Sequence, residues 1–447
     1  MKLDGQGNKQ WDKSYGGNSS DGVADIVATP DGGYLLGGYS SSDKSGDKSE
    51  ASKGSCDFWI IKIDAQGNKL WDKIYGGSKY DILTAIAVAP DGGYILGGDS
   101  NSNKSGDKSE DLHETIEDEF GPMDFWVVKI DEQGTKLWDK AYGGDSRDNL
   151  REMLVTPDGG YLLGGYGGRN YSDEVNGTCD NPNCSGFWVV KITATGQRQW
   201  DKLVGPVFQN NLGALLNTPD GGYLVAGHYD QGIVVTKVNT SGKEIWTTKY
   251  NDQGEVTGLF DMVTGINGGY FLIGWGSRRN SAWVAEIDEA GKKMWDSPIE
   301  GDYNAANLIA LPNNNLIIAG SFLNFKITKI KWERQPHALD WDISYVGEKQ
   351  DNLTTAIKTA DCGYLIGGYT NSLFGNDNQL SRGKNDYWII KIDKDGQRQW
   401  YQRFGGTGDD YLNRVLQTKD GGYLLAGSSL SDKGKDKSQG SKGNRDY

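Results

Sequence analysis

A chain of 447 residues with 61 acidic and 47 basic side chains carries a formal net charge of −14, which suits nucleic acid poorly as a partner because phosphate binding asks for a basic face. No apolar run approaches the ~20 residues needed to cross a bilayer, so no membrane span is expected. The 65 glycines would suggest disorder if they were scattered, but they recur at fixed places beside Tyr, Trp and Leu, as turn residues do.

From the N-terminus, Met1-Lys2-Leu3-Asp4 is a charged start followed by Gly, Gln and Asn, without the apolar segment of a signal peptide. The first full unit then establishes a pattern that returns to the end of the chain. Its second half, residues 57–73, reappears at 124–140, 186–202 and 386–402. Each unit resolves into four short patterns. Strand A is small and apolar, as in residues 84–89. Asp91-Gly92-Gly93 is a tight turn, because these residues adopt positive φ cheaply. Strand B is Tyr94-Ile95-Leu96-Gly97-Gly98, whose glycines allow close backbone approach. Strand C is the Trp-led, β-branched run at 125–131, and a Gly-containing turn leads to strand D at 136–140 and then Tyr142-Gly143-Gly144. Short strands at even spacing, four to a unit of about 45 to 65 residues, predict an all-β protein built from propeller blades.

Two series count the blades. The turn phrase occurs at Asp31, Asp91, Asp158, Asp220, Asn267, Asn313, Asp361 and Asp420. The strand D tryptophan occurs at Trp11, Trp71, Trp138, Trp200, Trp246, Trp295, Trp341 and Trp400. Both give eight, so the expectation is one domain over 1–447, a single eight-bladed β-propeller with four antiparallel strands per blade. An open β-solenoid or a seven-bladed ring is the alternative. The chain opens on a strand D and closes on strands A and B, so blade eight is shared between 1–20 and 410–447. The N-terminal strand D would then close the ring and remove the exposed edges. Asp446-Tyr447 begins a strand C that Lys2-Leu3-Asp4 ends, and a couple of residues between them belong to neither terminus. That break predicts a chain cut from a longer polypeptide.

The eight tryptophans read as scaffold, each wedging against the next blade and burying ~150–250 Å² of ring, with an exposed sugar-binding platform the minority reading. The stretch Ile63-Asp64-Ala65-Gln66-Gly67-Asn68-Lys69-Leu70-Trp71 resembles the tryptophan-docking motif of quinoprotein-type eight-bladed propellers, with a turn about one residue shorter. The whole unit, from Asp-Gly-Gly-Tyr-Leu-Leu-Gly-Gly through Trp-Asp-Lys-x-Tyr-Gly-Gly, resembles repeats of large secreted Bacteroidetes proteins, commonly exported by the type IX system and displayed on the cell surface. That resemblance implies an extracellular or cell-surface location, other domains or chains of a larger surface assembly as partners, and glycans or surface proteins as ligands. A cytoplasmic location is the alternative.

The units are unequal. Polar insertions follow strand B at 40–56, 100–123, 167–185, 370–384 and 429–445, in blades one, two, three, seven and eight, which are neighbours in a ring. They predict a raised arc on one face. In the same five blades, strand A is preceded by Asp21, Asp81, Asp148, Asp351 and Asp410; the short-loop blades have Asn210, Thr257 and Tyr303 there. These aspartates are expected to anchor the insertions, against the simpler reading of a turn cap bonded to its own backbone. The phrase Asp43-Lys44-Ser45-Gly46-Asp47-Lys48-Ser49 returns in edited form at 103–109 and 432–438, and Asp43, Asp47, Asp107 and Asp436 are candidate calcium ligands there, since Ca²⁺ takes six to eight oxygens. The interleaved lysines favour a solvated loop instead. Cys179 and Cys184 bracket Asp-Asn-Pro-Asn and could close a local disulfide; two free thiols or half of a metal knuckle are the alternatives.

No catalytic or cofactor residue stands out. His113, His228 and His337 are scattered, and neither a Gly-x-Ser-x-Gly elbow nor a P-loop occurs. The adjacent-cysteine pair usual in quinoprotein enzymes is absent. The reading is therefore a non-enzymatic module for adhesion, ligand binding or spacing in a surface appendage. A carbohydrate-active hydrolase, a quinoprotein-like oxidoreductase or an intracellular assembly scaffold are the alternatives.

Overall fold

The computed structural model describes the chain apart from residues 114–120, 145–146, 169–184, 205–210, 230–231, 251–255, 267, 277–281, 300–303, 312–314, 322–324, 332–337, 346–348, 350, 373–382 and 435. Its strands form eight sheets of four, each an antiparallel meander. Blade one comprises Asp21–Ala28, Tyr34–Ser40, Asp57–Ile63 and Lys69–Tyr75, strands A to D from the channel outward. The inner strands contact one another in sequence around a complete ring. The fold is an all-β, eight-bladed propeller.

Local chemistry sets each hairpin. In the A–B turn, Thr29 N–H and Gly33 C=O pair at 2.9 Å, and Gly32 takes φ +87°. The turn carboxylate is met from strand C: Lys62 reaches Asp31 at 2.8 Å, and Lys129–Asp91, Lys191–Asp158, Lys237–Asp220, Lys391–Asp361 and Lys2–Asp420 repeat the pair. The hydrogen bonds from Lys237 and Thr218 hold the Asp220 carboxyl down to about 2. In the C–D turn, Asp64 accepts the Gln66 and Asn68 N–H groups at 2.9 and 2.8 Å. This Asx turn explains the recurring Ile-Asp-x-x-Gly. On strand B, a Cβ at Gly38 would lie 1.9 Å from the Gly22 carbonyl oxygen, so only glycine lets strands A and B approach this closely.

The core is divided among the blade junctions. Eight apolar clusters each span one junction, as where Phe58, Ile60 and Leu35 of blade one meet Leu83, Ile86 and Trp126 of blade two. Such a side chain contributes about 1.5–3 kcal/mol when fully buried. The largest fully buried rings do not include the strand D tryptophans. Those are half-buried, while Trp59, Trp126 and Trp188 of strand C are fully buried. The cause is position: strand C is sandwiched within its sheet and between blades, whereas strand D forms the rim. The strand D rings cover the C–D turn glycine of the following blade; a Cβ at Gly67, Gly134 or Gly196 would fall about 2.7–3.0 Å from Trp11, Trp71 or Trp138 respectively.

Blade eight joins the termini. Its sheet runs Lys9–Trp11, Lys2–Leu3, Tyr423–Ser429 and Asp410–Gln417. Lys2 pairs with Leu424 and Leu3 with Tyr423, while Asp446 bridges Ser429.

Candidate functional site

In a four-stranded meander, the B–C and D–A connections leave the same face, so the insertions and the starts of strand A come together there. The insertions of blades eight, one and two are largely described and share one construction. Asp21 Oδ2 accepts the Gly17 N–H at 2.8 Å and the hydroxyl of Ser42, in the insertion, at 3.0 Å. Asp81 does the same with Gly77 at 2.7 Å and Ser102 at 3.1 Å, and Asp410 with Gly406 and Ser431, both at 2.8 Å. Asp148 accepts the Gly144 N–H at 2.7 Å, and Asp351 accepts the Thr370 hydroxyl. All five are buried. Asn210 and Tyr303 lie outside the described residues, and Thr257 stands in the strand A of blade five, Val256–Thr264.

The calcium candidates are not brought together, and no group of three or more metal-ligating side chains forms among the described residues. Asp47 accepts the Gly16 N–H of the preceding blade at 3.2 Å and pairs with Lys442; Asp107 accepts the Gly76 N–H at 3.2 Å and pairs with Lys53; Asp436 accepts the Gly405 N–H at 3.3 Å. The Asp43 N–H donates to Asn18 at 3.0 Å. The cation inside each loop is a lysine. Lys48, 2% exposed, donates to the Ser42 carbonyl and to the Ser52 hydroxyl at 2.6 Å, and Lys437 donates to the Ser431 carbonyl at 2.6 Å. Cys179 and Cys184 lie outside the described residues; Cys56 is buried and Cys362 exposed, both free.

Lys442 of the eighth insertion pairs with Asp47 of the first, and Lys53 of the first with Asp107 of the second. Three successive insertions are therefore tied into one surface. Tyr80 stands on it, 50% exposed, its N–H bonded to Asn101 at 2.7 Å. Leu430 is also exposed there.

Sequence reasoning missed two sets of carboxylates. Asp57, Asp124 and Asp446 open strand C and close the insertions: Asp57 accepts the Lys53 N–H at 2.6 Å, Asp446 the Lys442 N–H at 2.8 Å, and Asp124 both the N–H and the ring Nδ1 of His113, at 3.0 and 2.8 Å. Burial pushes Asp57 up to about 6, with the Asp81 carboxylate adding to the effect. The signal was the Asp before the aromatic pair of strand C. The second set faces the channel. Asp25 accepts the Ile86 N–H of blade two at 3.0 Å, Glu152 the Leu215 N–H of blade four at 2.7 Å, and Asp261 the Leu308 N–H of blade six at 2.8 Å. Each bonded N–H follows a register shift in strand A, where the ladder leaves a donor unpaired. The acid recurs at one strand A position in blades one, three and five, while blades two, four and six carry Ala85, Ala214 and Asn307 at that position. Burial pushes Glu152 up to about 7 and Asp261 up to about 6.

No protein-family model matches the chain, and no curated protein sequence does. Among solved structures, the chain is similar to Sqt1 of Chaetomium thermophilum with a TM-score of 0.55 and 14% identity, over 93% of this chain and 97% of that one. It also aligns with the quinohemoprotein alcohol dehydrogenase of Comamonas testosteroni at TM-score 0.49 and 10% identity, over 94% and 72% of the two chains. A streptogramin B lyase aligns at TM-score 0.45 and 10% identity, over 77% and 90%. At such identities the likeness to Sqt1 concerns the fold alone.

Proposed function

We propose that this propeller is a non-enzymatic binding module of a secreted or cell-surface bacterial protein, serving adhesion, ligand capture or spacing within a larger surface assembly. The observation that carries the reading is the interlocked arc, in which the Lys442–Asp47 and Lys53–Asp107 pairs join three insertions whose lysines and aspartates fix each loop internally. A surface already ordered loses little conformational entropy when a partner docks. Its Ser, Asn, Lys and Asp side chains, with Tyr80 beside them, suit the hydroxyls of a glycan or a polar protein surface. The extracellular placement rests on the likeness of the repeat to secreted Bacteroidetes proteins.

The test is a glycan-binding and hydrolysis screen of the purified chain. Saturable binding to a glycan, weakened at least tenfold by Tyr80→Ser combined with Asn101→Ala and unaffected by Leu137→Ser on the opposite rim, supports the reading. Turnover of any polysaccharide, or binding indifferent to the arc variants, overturns it.

A further inference from the structure

Strands A and B of the eighth blade exchange the sizes of one facing pair. In blade one, Gly22 of strand A lies opposite Tyr39 of strand B, and in blade seven Asn352 lies opposite Tyr369. In blade eight the ring stands on strand A instead, as Tyr411, and the residue opposite is Ser428. The Tyr39 ring closes over its own strand A, where a Cβ on Gly22 would fall 2.5 Å from it. Ser428 is too small to do this. A cleft of about 520 Å³ opens between blades seven and eight, bounded by Thr354, Tyr369, Tyr411, Asn413, Arg414 and Arg445. That volume lies within the roughly 300–1,000 Å³ of small-molecule sites. The cleft stands on the face of the insertions, at the inner edge of the ring, because Tyr411 is the second residue of strand A.

Its walls are held by contacts within the protein. The Tyr411 ring meets Tyr369 of blade seven edge to face, with centroids 4.9 Å apart and planes at 89°. The Arg445 guanidinium lies over the Tyr411 ring, 5.6 Å from its centroid, within reach of a cation–π contact. The backbone of Arg445 is set by the next blade: its carbonyl accepts the Asp21 N–H at 2.8 Å, as the Cys56 carbonyl accepts that of Asp81 at 2.7 Å. Where blade one has the small thiol of Cys56, blade eight has a guanidinium that lines the cleft.

The charge of the cleft runs against that of the chain. A protein of net charge −14 places two arginines here, and none of the cleft's described lining residues is acidic. The nearby carboxylates have other partners. Asp25 meets Arg414 Nε at 3.5 Å and accepts the Ile86 N–H at 3.0 Å, and Asp409 accepts the Asn385 Nδ2–H at 2.7 Å. Among the described residues no carboxylate pairs with Arg445, whose contact is the ring of Tyr411. A guanidinium presents a planar fork of N–H donors that matches a carboxylate. The remaining polar groups suit hydroxyls. Asn413 donates through Nδ2 to the Val23 carbonyl at 3.1 Å and keeps its amide oxygen as an acceptor. The Tyr411 hydroxyl accepts the Asn385 Nδ2–H at 3.4 Å and keeps its own proton to donate.

We propose that this cleft binds a hexuronate, a pyranose ring bearing a carboxylate, presented by an acidic glycan. Arg445 and Arg414 hold the carboxylate, Asn413 and the Tyr411 hydroxyl bond the ring hydroxyls, and the C–H face of the sugar packs against the tyrosine pair. The choice of a sugar rests on the glycan-binding reading above; the choice of an anion rests on the cleft alone.

The experiment titrates the 447-residue protein by calorimetry with trigalacturonate, with its neutral counterpart galactotriose, and with the peptide Glu-Glu-Glu, which offers carboxylates without sugar rings. The expected result is saturable binding of trigalacturonate that weakens as salt rises, and at least tenfold weaker binding of the other two. Arg445→Gln, which removes a half-buried guanidinium, should keep the wild-type Tm and weaken trigalacturonate binding at least tenfold. Ser428→Tyr, which restores the ring of blades one and seven and fills the cleft, should weaken it as far. No saturable binding of trigalacturonate, equal binding of galactotriose or of Glu-Glu-Glu, or wild-type affinity in Arg445→Gln overturns the proposal. Trigalacturonate binding that Tyr80→Ser with Asn101→Ala removes and Arg445→Gln spares also overturns it, while leaving the glycan-binding reading of the arc intact.

Discussion

The hydroxyl of Tyr142, at the end of strand D in blade two, donates to the carbonyl of Gly196 in the C–D turn of blade three at 2.6 Å. Trp138, four residues earlier, covers the same glycine, so two rings of one strand grip one turn of the next blade. The pairs Tyr15–Gly67 and Tyr250–Gly291, both at 2.6 Å, repeat the relationship.

That grip predicts unequal costs for two substitutions. Gly196 has φ +78°, and a Cβ there would lie 2.8 Å from the Trp138 ring. Gly196→Ala should therefore lose about 1–3 kcal/mol through backbone strain and overpacking. Tyr142→Phe, which removes one hydrogen bond and leaves the ring, should lose ~1 kcal/mol. Urea denaturation of both variants checks the order.

Asp81→Ala leaves the buried Gly77 N–H and Ser102 hydroxyl without their acceptor. A cost of ~1–3 kcal/mol follows, concentrated in the insertion of blade two. Hydrogen exchange and proteolysis should accelerate over residues 100–113 while strand C of the same blade stays protected. An unchanged pattern would show that the aspartate merely caps its own turn.

The buried carboxyls make stability depend on pH. Burial pushes Glu152 and Asp99 up to about 7, and Asp57 and Asp261 up to about 6, above the ~4 of an unfolded chain. A raised carboxyl contributes its stability fully below the unfolded value and loses it as pH climbs through the folded one. Tm should accordingly be higher near pH 5 than at pH 8. Glu152→Gln keeps an acceptor for the Leu215 N–H but cannot ionise, so it should flatten the slope and stabilise the protein at pH 8 by on the order of 1–3 kcal/mol. Thermal denaturation of both proteins across pH 5–8 decides it.

Lysine, placed inside the insertion loops, predicts how they respond to metal. Lys48→Met should expose the Ser42 carbonyl and Ser52 hydroxyl to an unmet need and lower Tm by several degrees. Millimolar calcium or a chelator should leave the wild-type Tm unchanged. A calcium-dependent rise would restore Asp43, Asp47, Asp107 and Asp436 as ligands.

The blade was legible because its rules are local. Asp-Gly-Gly needs positive φ, Ile-Asp-x-x-Gly is an Asx turn, and strand alternation follows from side-chain period. The two eightfold series therefore count blades before any coordinates exist. The five insertions and their aspartates were legible for the same reason, as departures from a fixed period. The ranking of the tryptophans was not. Trp71 and Trp59 look equally apolar in the sequence, yet one sits on the rim and the other inside the sheet stack. The partner of Asp25 is 61 residues away in the next blade, and no local pattern names it.

By itself the sequence determined the fold class, the blade count, the turn chemistry and which blades carry insertions, since each depends on residues close together in the chain. Only the tertiary structure decided which charges meet. Lys442 reaches Asp47 across 395 positions, Lys48 is buried against the carbonyl of Ser42 inside its own insertion, and Glu152 pairs with a backbone donor of another blade. Closing the ring brings those groups within hydrogen-bond distance and removes water from around them, and burial then sets their protonation.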